Sequence, residues 1–228
     1  MIPLKDNIPS RTFPFVNISI IIINIVVFLY ELSLGPYLGR FIFHFGIIPH
    51  KFILLLSHDT FYPGATFLPL FTSLFLHGGW LHLLGNMLYL WIFGDNVEDV
   101  LGHIRYLLFY LLCGIGAAMT HIITQSGSQV PTIGASGAIA GVMGAYFVLF
   151  PKARVVTLVP IFFFIQLIEI PAFFFLAFWF LMQLLSGTFS GSSSFSGGIA
   201  FWAHIGGFGC GMLLLLFFKR QRRVRYYR

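Results

Sequence analysis

Apolar runs of about twenty residues recur along the chain, and each is long enough to cross the hydrocarbon core of a bilayer as a helix. Of the 228 residues, 58% are hydrophobic and only 9% are charged. A soluble domain usually contains about 25% charged residues. A water-soluble fold of this size could not bury so much apolar surface. The sequence therefore predicts an integral membrane protein.

The hydrophobic pattern predicts six membrane spans. The first is longer than a signal-peptide core and lacks a clear cleavage site, so we interpret it as an uncleaved span. We expect an all-α membrane protein, a polytopic bundle of six transmembrane helices. It should form a single domain over residues 1–228, with short tails at about 1–14 and 219–228. The predicted spans are about Phe15–Leu34, Pro69–Phe93, Ile104–Thr124, Ser136–Phe150, Val155–Leu185 and Ile199–Phe218.

Basic residues are concentrated on one side of the predicted bundle. Six of the thirteen Lys and Arg residues lie in the last ten positions, and others lie in the N-terminus and in the turns at 95–105 and 150–154. The opposite loops hold only Arg40 and Lys51. Because basic residues favour the cytoplasmic side, both termini are predicted to be cytoplasmic. We interpret the net charge of +6 as a topology and lipid-headgroup signal, not as nucleic-acid affinity.

Glu169 is expected to lie deep in the fifth span. Counted from Val155, it would be roughly 21 Å into the membrane at about 1.5 Å rise per residue. A carboxylate inside a span is a functional candidate by default, although Pro171 could kink the helix and admit water. We expect a protonated acid bonded to a neighbouring helix, or a partner for another buried polar group.

A serine flanked by glycines opens the fourth span. The GASG string at residues 134–137 can present Ser136 on a tight turn with its backbone N–H exposed. The string alone is weak evidence, because serine is common at helix interfaces and N-caps. The small residues Gly137, Ala140, Gly141 and Gly144 then form a face that a neighbouring helix can approach closely.

A histidine lies on a glycine-rich face of the sixth span. His204, Gly207 and Gly211 share one helix face at i, i+3 and i+7. If this face met that of the fourth span, the imidazole would come close to the Ser136 hydroxyl. A lone intramembrane histidine is more often a structural hydrogen-bonder or a proton relay. Complementary glycine faces nevertheless favour a pairing of nucleophile and base.

A third polar cluster lies at the start of the second span. His82 and Asn86 are spaced i, i+4, so their side chains share one helix face. Both offer N–H donors, which a developing oxyanion needs together with a backbone N–H beside the nucleophile. The alternatives are interhelical hydrogen bonding, or a metal site formed by His77, His82 and His204.

These clusters together resemble the motifs of the rhomboid family of intramembrane serine proteases. The resemblance covers roughly residues 68–218, and the motifs occur in the family's order. One departure concerns the first loop, residues 35–68, which lacks tryptophan where many bacterial members carry a Trp-Arg pair. The matching residues are His77 and His82 with Asn86, Gly94-x-x-x-Glu98-x-x-x-Gly102, Gly134-Ala135-Ser136-Gly137, and Ala203-His204-x-x-Gly207-x-x-x-Gly211.

The resemblance implies an intramembrane serine endopeptidase that cleaves transmembrane substrates and needs neither a cofactor nor a metal. Ser136 would be the nucleophile and His204 its general base and acid. His82 and Asn86 would stabilise the oxyanion together with the backbone N–H of Ser136. Glu98 would cap or pair at the turn after the second span, for example with Arg105. The expected structural residues are His77, Glu98, Gly134, Gly137, Gly207 and Gly211.

The sequence fits other classes of membrane protein less well. A zinc protease would need a motif such as H-E-x-x-H, which is absent, and an aspartyl protease would need two intramembrane aspartates. A transporter using Glu169 and His204 as proton carriers is more distant. The alternative is a non-catalytic rhomboid-like protein that binds or escorts membrane clients, although such relatives typically lose the nucleophile or the base.

We expect the partners to be transmembrane protein substrates and the lipid bilayer, with no nucleic acid. The compact layout and the lack of a transit peptide favour the plasma (inner) membrane of a bacterium or archaeon.

Overall fold

The computed structural model describes residues 1–57, 62–161, 164–189 and 200–218. Over these residues the chain is mostly helical, with one small sheet and two single-turn 3-10 helices. In chain order, the longer elements are β1 (Ile2–Asp6), α1 (Phe15–Ser33), α2 (Leu38–Phe45), α3 (Pro49–Ser57), α4 (Pro63–Thr72), α5 (Trp80–Leu101), α6 (His103–Thr124), α7 (Ser136–Leu149), β2 (Arg154–Ile161), β3 (Phe164–Pro171), α8 (Ala172–Phe189) and α9 (Phe201–Phe218).

Four of the described helices, α1, α6, α8 and α9, are long and apolar enough to cross a membrane. The segment Pro63–Phe75, which contains α4, meets α5 at 80°, and counting this bent pair as one broken span gives five. Helix α7 has 14 residues, so at about 1.5 Å per residue it is shorter than the ~30 Å hydrocarbon core. The protein is therefore a multi-pass membrane protein with four or five candidate spans, where the sequence predicted six.

Helix α7 occupies the centre of the helical assembly. Most of its side chains are buried, and Ala138, Val142 and Ala145 have no exposed surface. It contacts α5, α6 and α9. Its alanines and glycines allow this arrangement, because small side chains let neighbouring helices approach closely. Since protein surrounds most of α7, its own length need not match the bilayer.

The predicted bounds of the first, third, fourth and sixth spans agree with α1, α6, α7 and α9 to within two residues. The second predicted span, Pro69–Phe93, is not one helix. The chain leaves the helical conformation at residues 76–79, and α5 begins at Trp80. The two consecutive glycines at 78 and 79 explain the break, because glycine stabilises a helix less than other residues except proline.

The fold is mostly helical, as predicted, but it is not all-α, because β2 and β3 form an antiparallel hairpin. The predicted fifth span, Val155–Leu185, therefore divides into this hairpin and α8, which begins only at Ala172. Strand β1 pairs with β2 as a third strand, with Ile2 opposite Leu158, so part of the predicted N-terminal tail belongs to the sheet. The β-branched residues of β2 favour this pleated conformation.

Glu169 lies on β3, which corrects its predicted place deep in the membrane. Its side chain is 59% exposed, and its Oε2 is 3.6 Å from Nη1 of Arg154 on the neighbouring strand. An exposed ion pair of this kind is solvated and contributes little to stability. The predicted position of Glu169 inside the helical assembly is therefore wrong.

The connection after α1 lies against the helices near the start of α7. Backbone hydrogen bonds join Ile47 and Thr132 in both directions, at 3.0 and 2.7 Å. Phe52 of α3 belongs to one buried cluster with Ile122 of α6. These contacts hold the segment that precedes α7.

Two predicted features extend beyond the described residues. The Gly/Ser-rich loop predicted at 186–198 begins within α8, which continues to Phe189, and its remainder lies outside the described ranges. The basic segment 219–228 also lies outside them.

Candidate active site

A cavity of about 660 Å³ lies between α5, α6, α7 and α9. Cavities between helices with a few convergent polar groups are common binding or catalytic sites. The lining includes His82, Asn86, His121, Ser136, Trp179 and His204.

Ser136 is the first residue of α7, and its helical position determines its surroundings. The first N–H groups of a helix have no intrahelical acceptor, so the Ser136 N–H points away from the helix. The positive end of the helix dipole also favours negative charge at this place. Gly134 precedes it with φ +125°, a backbone conformation that side-chain-bearing residues rarely adopt.

The glycine faces of α7 and α9 are in backbone contact. A Cβ atom on Gly207 would lie 2.0 Å from the carbonyl oxygen of Gly137, and one on Gly211 would lie 2.0 Å from that of Gly141. Real Cβ atoms do not approach this closely, so only glycine fits at 207 and 211. This approach brings the imidazole of His204 next to the start of α7.

The ring of His204 has a polar neighbour on each nitrogen. Its Nε2 lies 2.8 Å from Oγ of Ser136, and its Nδ1 lies 2.8 Å from Oε1 of Gln183 on α8. The Trp179 ring, one helical turn before Gln183, lies 5.8 Å from the imidazole between centroids. The serine and histidine predicted from separate motifs thus lie within hydrogen-bond distance of each other.

His82 and Asn86 lie beside the turn that leads into α7. A Cβ atom on Gly134 would be 2.7 Å from Nε2 of His82 and 3.6 Å from Nδ2 of Asn86. The N–H of Gly78 is 3.4 Å from Nδ1 of His82 and donates to it. This contact favours the tautomer with the proton on Nε2, the atom that faces Gly134.

His77 lies in the break before α5, where it connects Asn86 to α1. Its Nε2 is 3.0 Å from Nδ2 of Asn86, and its ring centroid is 5.1 Å from that of His82. Its backbone N–H donates to Oε2 of Glu31, at 3.0 Å. His77 therefore supports the start of α5, and Glu31 fixes the backbone there.

The Gly94-x-x-x-Glu98-x-x-x-Gly102 motif positions α1 against α5. The Glu98 carboxylate is fully buried and accepts hydrogen bonds from the backbone N–H groups of Val16 and Asn17 in the first turn of α1. Its side-chain partner is Nδ1 of His103, not Arg105 as predicted. Glu98 also lies inside α5 and not in a turn after it, because the helix continues to Leu101. Gly102, with φ +80°, ends α5.

The metal site proposed as an alternative has no support in the described part of the chain. No group of three His, Cys, Asp or Glu side chains there could hold a metal ion. Both ring nitrogens of His204 also have other polar neighbours, Ser136 and Gln183.

No motif pointed to Gln183, Trp179 or Glu31. Glu31 could have been found by the rule that selected Glu169, because it is a carboxylate inside an apolar run. Gln183 is a polar residue in a predicted span, but the neighbouring helix that its side chain points towards depends on where α8 begins. Because the fifth span was predicted 17 residues too early, at Val155 instead of Ala172, its register against His204 could not be derived.

The chain is thus a multi-pass helical membrane protein in which Ser136 and His204 lie within hydrogen-bond distance at an internal cavity. Residues 64–221 match the Rhomboid domain family, and this chain belongs to that family. The family includes intramembrane serine proteases.

Individual relatives share shorter segments with this chain. It is 37% identical over 76 residues to "RHOMBOID-like protein 5" of Arabidopsis thaliana, covering 33% of this chain and 25% of that protein. It is 43% identical over 76 residues to "Rhomboid protease GluP" of Bacillus subtilis (strain 168), covering 33% and 14%. It is 28% identical over 118 residues to "Presenilin-associated rhomboid-like protein, mitochondrial" of Bos taurus, covering 50% and 31%. The chain thus spans less than a third of the length of these relatives.

Proposed function

We propose that this protein is an intramembrane serine endopeptidase that cleaves transmembrane protein substrates with a Ser136–His204 dyad. The observation that carries the proposal is the 2.8 Å contact between Ser136 Oγ and His204 Nε2 at the cavity between the helices. Family membership supports it, because the family contains proteases of this kind. The name "Rhomboid protease GluP" of a relative in Bacillus subtilis (strain 168) points the same way.

In the proposed reaction, Ser136 Oγ attacks the carbonyl carbon of the scissile peptide bond. His204 Nε2 accepts the hydroxyl proton as the new C–O bond forms, and then donates it to the leaving amine nitrogen as the C–N bond breaks. Water, deprotonated by the same imidazole, next attacks the acyl carbon. The ester C–O bond to Ser136 then breaks, His204 returns the proton to Ser136 Oγ, and the acid product leaves. The reaction requires neither a metal nor a cofactor.

The tetrahedral oxyanion would be stabilised by donors that converge beside Gly134. These are the N–H of Ser136, Nε2–H of His82 and one N–H of the Asn86 amide. Asn86 can serve in this way while its other amide proton is directed to His77. Loss of one such donor typically lowers the rate about 10²–10³-fold.

We also propose that residues 1–228 form one rhomboid-like membrane domain with six membrane-embedded helices. These are the five candidate spans and α7, which the other helices enclose. Both termini would be cytoplasmic, in the plasma (inner) membrane. The basic residues at 5, 11, 105, 152 and 154 support this orientation, since they lie in the N-terminal segment and in two connections predicted on the same side. Several relatives are named mitochondrial, so fractionation of the native cells is the test of location.

The activity can be tested with the purified full-length chain in detergent and a fluorescently labelled transmembrane substrate. Wild-type protein should cleave it, and Ser136→Ala and His204→Ala should each lower the rate at least about 10³-fold. Matched controls are Ser33→Ala and His44→Ala, because both side chains are exposed and lie on α1 and α2. EDTA should leave the rate unchanged.

A fluorophosphonate probe tests the nucleophile without knowledge of the substrate. It should label the wild type and Ser33→Ala at Ser136, and it should not label Ser136→Ala. Equal labelling of a correctly folded Ser136→Ala protein, or none in the wild type, would contradict the proposal. A protein that binds a membrane client stably without labelling or cleaving it would instead be a non-catalytic relative.

A further inference from the structure

The side of His204 that faces away from Ser136 is occupied by an amide from another helix. Gln183 of α8 places its Oε1 2.8 Å from His204 Nδ1, as closely as Ser136 Oγ approaches Nε2. Gln183 and Trp179 are four residues apart and therefore share one face of α8. Both are directed at the same imidazole, so α8 contacts the candidate base at two points.

The contact with an amide oxygen has a chemical consequence for the histidine. A carbonyl oxygen can only accept a hydrogen bond, so the proton of the neutral ring must be on Nδ1. Nε2 is then left with a lone pair directed at the Ser136 hydroxyl. This is the tautomer that a general base needs, and the partner of the second ring nitrogen determines which tautomer forms.

We infer that Gln183 is a positioning residue that fixes the tautomer and orientation of His204 through the Oε1···H–Nδ1 hydrogen bond. The inference rests on the proposed protease function and extends it to a third residue. Gln183 would bear on the reaction only through His204. An amide accepts the Nδ1 proton without introducing a negative charge beside the ring.

Other groups near His204 do not perform this role. The titratable side chains that face it from neighbouring helices are His82 of α5 and His121 of α6. His82 accepts from the Gly78 N–H, and Nε2 of His121 lies 2.9 Å from the Thr132 hydroxyl. Trp179 can stack against the ring but cannot accept its proton.

The test compares three substitutions of Gln183 in the full-length chain. Gln183→Leu keeps similar bulk and removes the acceptor, so kcat should fall about 10- to 100-fold, as for other partners that fix a histidine tautomer, with KM changed less than about twofold. Gln183→Glu restores an acceptor and should recover most of kcat. Because its carboxylate stabilises the protonated ring, the acidic limb of its pH–rate profile should move to higher pH. Gln166→Leu, on exposed β3, is the matched control and should resemble the wild type.

A second readout does not depend on activity. With ¹⁵N-labelled histidine, assigned by comparison with His204→Ala, the His204 signals should report the Nδ1–H tautomer in the wild type. Gln183→Leu should show a mixture of tautomers.

The outcomes separate this inference from the protease proposal. If the wild type cleaves and Ser136→Ala does not, but Gln183→Leu has wild-type kinetics and the same tautomer, Gln183 has no positioning role. If the wild type neither cleaves nor reacts with the probe, the protease proposal fails, and the NMR spectra still decide whether Gln183 fixes the tautomer. A Gln183→Glu variant with the kcat and pH profile of Gln183→Leu would also overturn the inference.

Discussion

Burial of a carboxylate in this protein depends on whether backbone donors meet it. Glu98 is fully buried and Glu31 is 1% exposed, and both accept hydrogen bonds from backbone N–H groups of another segment. Glu169 lies on the exposed strand β3, where its described partner is the Arg154 side chain. Hydropathy alone cannot distinguish these cases, because buried charge is tolerated only where donors satisfy it.

The contact between Glu31 and the His77 backbone predicts a specific loss of stability. Glu31→Ala would leave a buried N–H without its acceptor, at a cost of about 1–3 kcal/mol, and should lower the thermal unfolding midpoint in detergent. Glu31→Gln keeps an acceptor oxygen and should recover part of the loss. Nε2 of His77 lies 3.0 Å from Nδ2 of Asn86, the proposed oxyanion donor. Because a displaced His77 would no longer hold Asn86 in place, Glu31→Ala should also slow cleavage.

Glu169→Ala is the matched control, since it removes the same side chain from an exposed ion pair. It should change the midpoint little. Equal midpoints for Glu31→Ala and Glu169→Ala would show that the buried contact is not a stabilising one.

At the scale of elements, the candidate site depends on the backbone approach of α7 and α9. Ser136 is at the first position of α7 and His204 lies in the first turn of α9, so the separation of the two helices determines the distance between the two side chains. Glycine is required because carbonyl oxygens of α7 occupy the positions where Cβ atoms of α9 would lie. The helix interface and the candidate dyad are therefore one structural feature.

Two glycines of α9 provide a matched pair of substitutions. Gly211→Ala would place a Cβ atom 2.0 Å from the Gly141 carbonyl oxygen, whereas a Cβ atom on Gly209 would have no heavy atom of another described element within 4 Å. Gly211→Ala should separate the helices, lower the unfolding midpoint and reduce cleavage at least about tenfold, comparable to a 1–3 kcal/mol penalty for overpacking.

Gly209→Ala should leave cleavage unchanged and stabilise the protein by up to about 1 kcal/mol through its higher helix propensity. Loss of fluorophosphonate labelling in Gly211→Ala below its unfolding midpoint would indicate an altered dyad and not general unfolding. Identical behaviour of the two variants would mean that close approach of α7 and α9 is not required.

Across the whole molecule, the parts predicted from sequence are those that depend on local patterns. Four helices follow directly from apolar runs, and the Ser136 and His204 motifs could be paired because each carries its own glycine face. Gln183 and the sheet could not be predicted. An apolar run such as residues 155–171 does not distinguish a strand from a helix by periodicity. The pairing of Ile2 with Leu158 joins two segments that are far apart in the sequence, and no local sequence pattern specifies it.

The N-terminal strand gives the molecule a pH-dependent contact between its first residues and its centre. Asp6, in β1, accepts hydrogen bonds from the Tyr146 hydroxyl of α7 and from Nδ2 of Asn96 of α5. Burial of the carboxyl group raises the pKa of Asp6 to about 6, with the nearby Asp95 adding to the shift and the Tyr146 hydrogen bond opposing it.

This raised pKa determines the sign of the pH effect. Between about pH 4 and pH 6, Asp6 binds more protons in the folded protein than in the unfolded chain, so its contribution to the free energy of unfolding falls as the pH rises, by on the order of 2 kcal/mol, and then levels off. Thermal unfolding in detergent across this range isolates that contribution as the difference in stability between the wild type and Asp6→Asn, and this difference should decline as the pH rises. Tyr146→Phe removes the donor that favours the ionised carboxylate, so the decline should extend to higher pH. Parallel profiles for the wild type and Asp6→Asn would mean that β1 contributes no titrating contact, and the N-terminal strand would then be held by backbone pairing and neighbouring polar contacts alone.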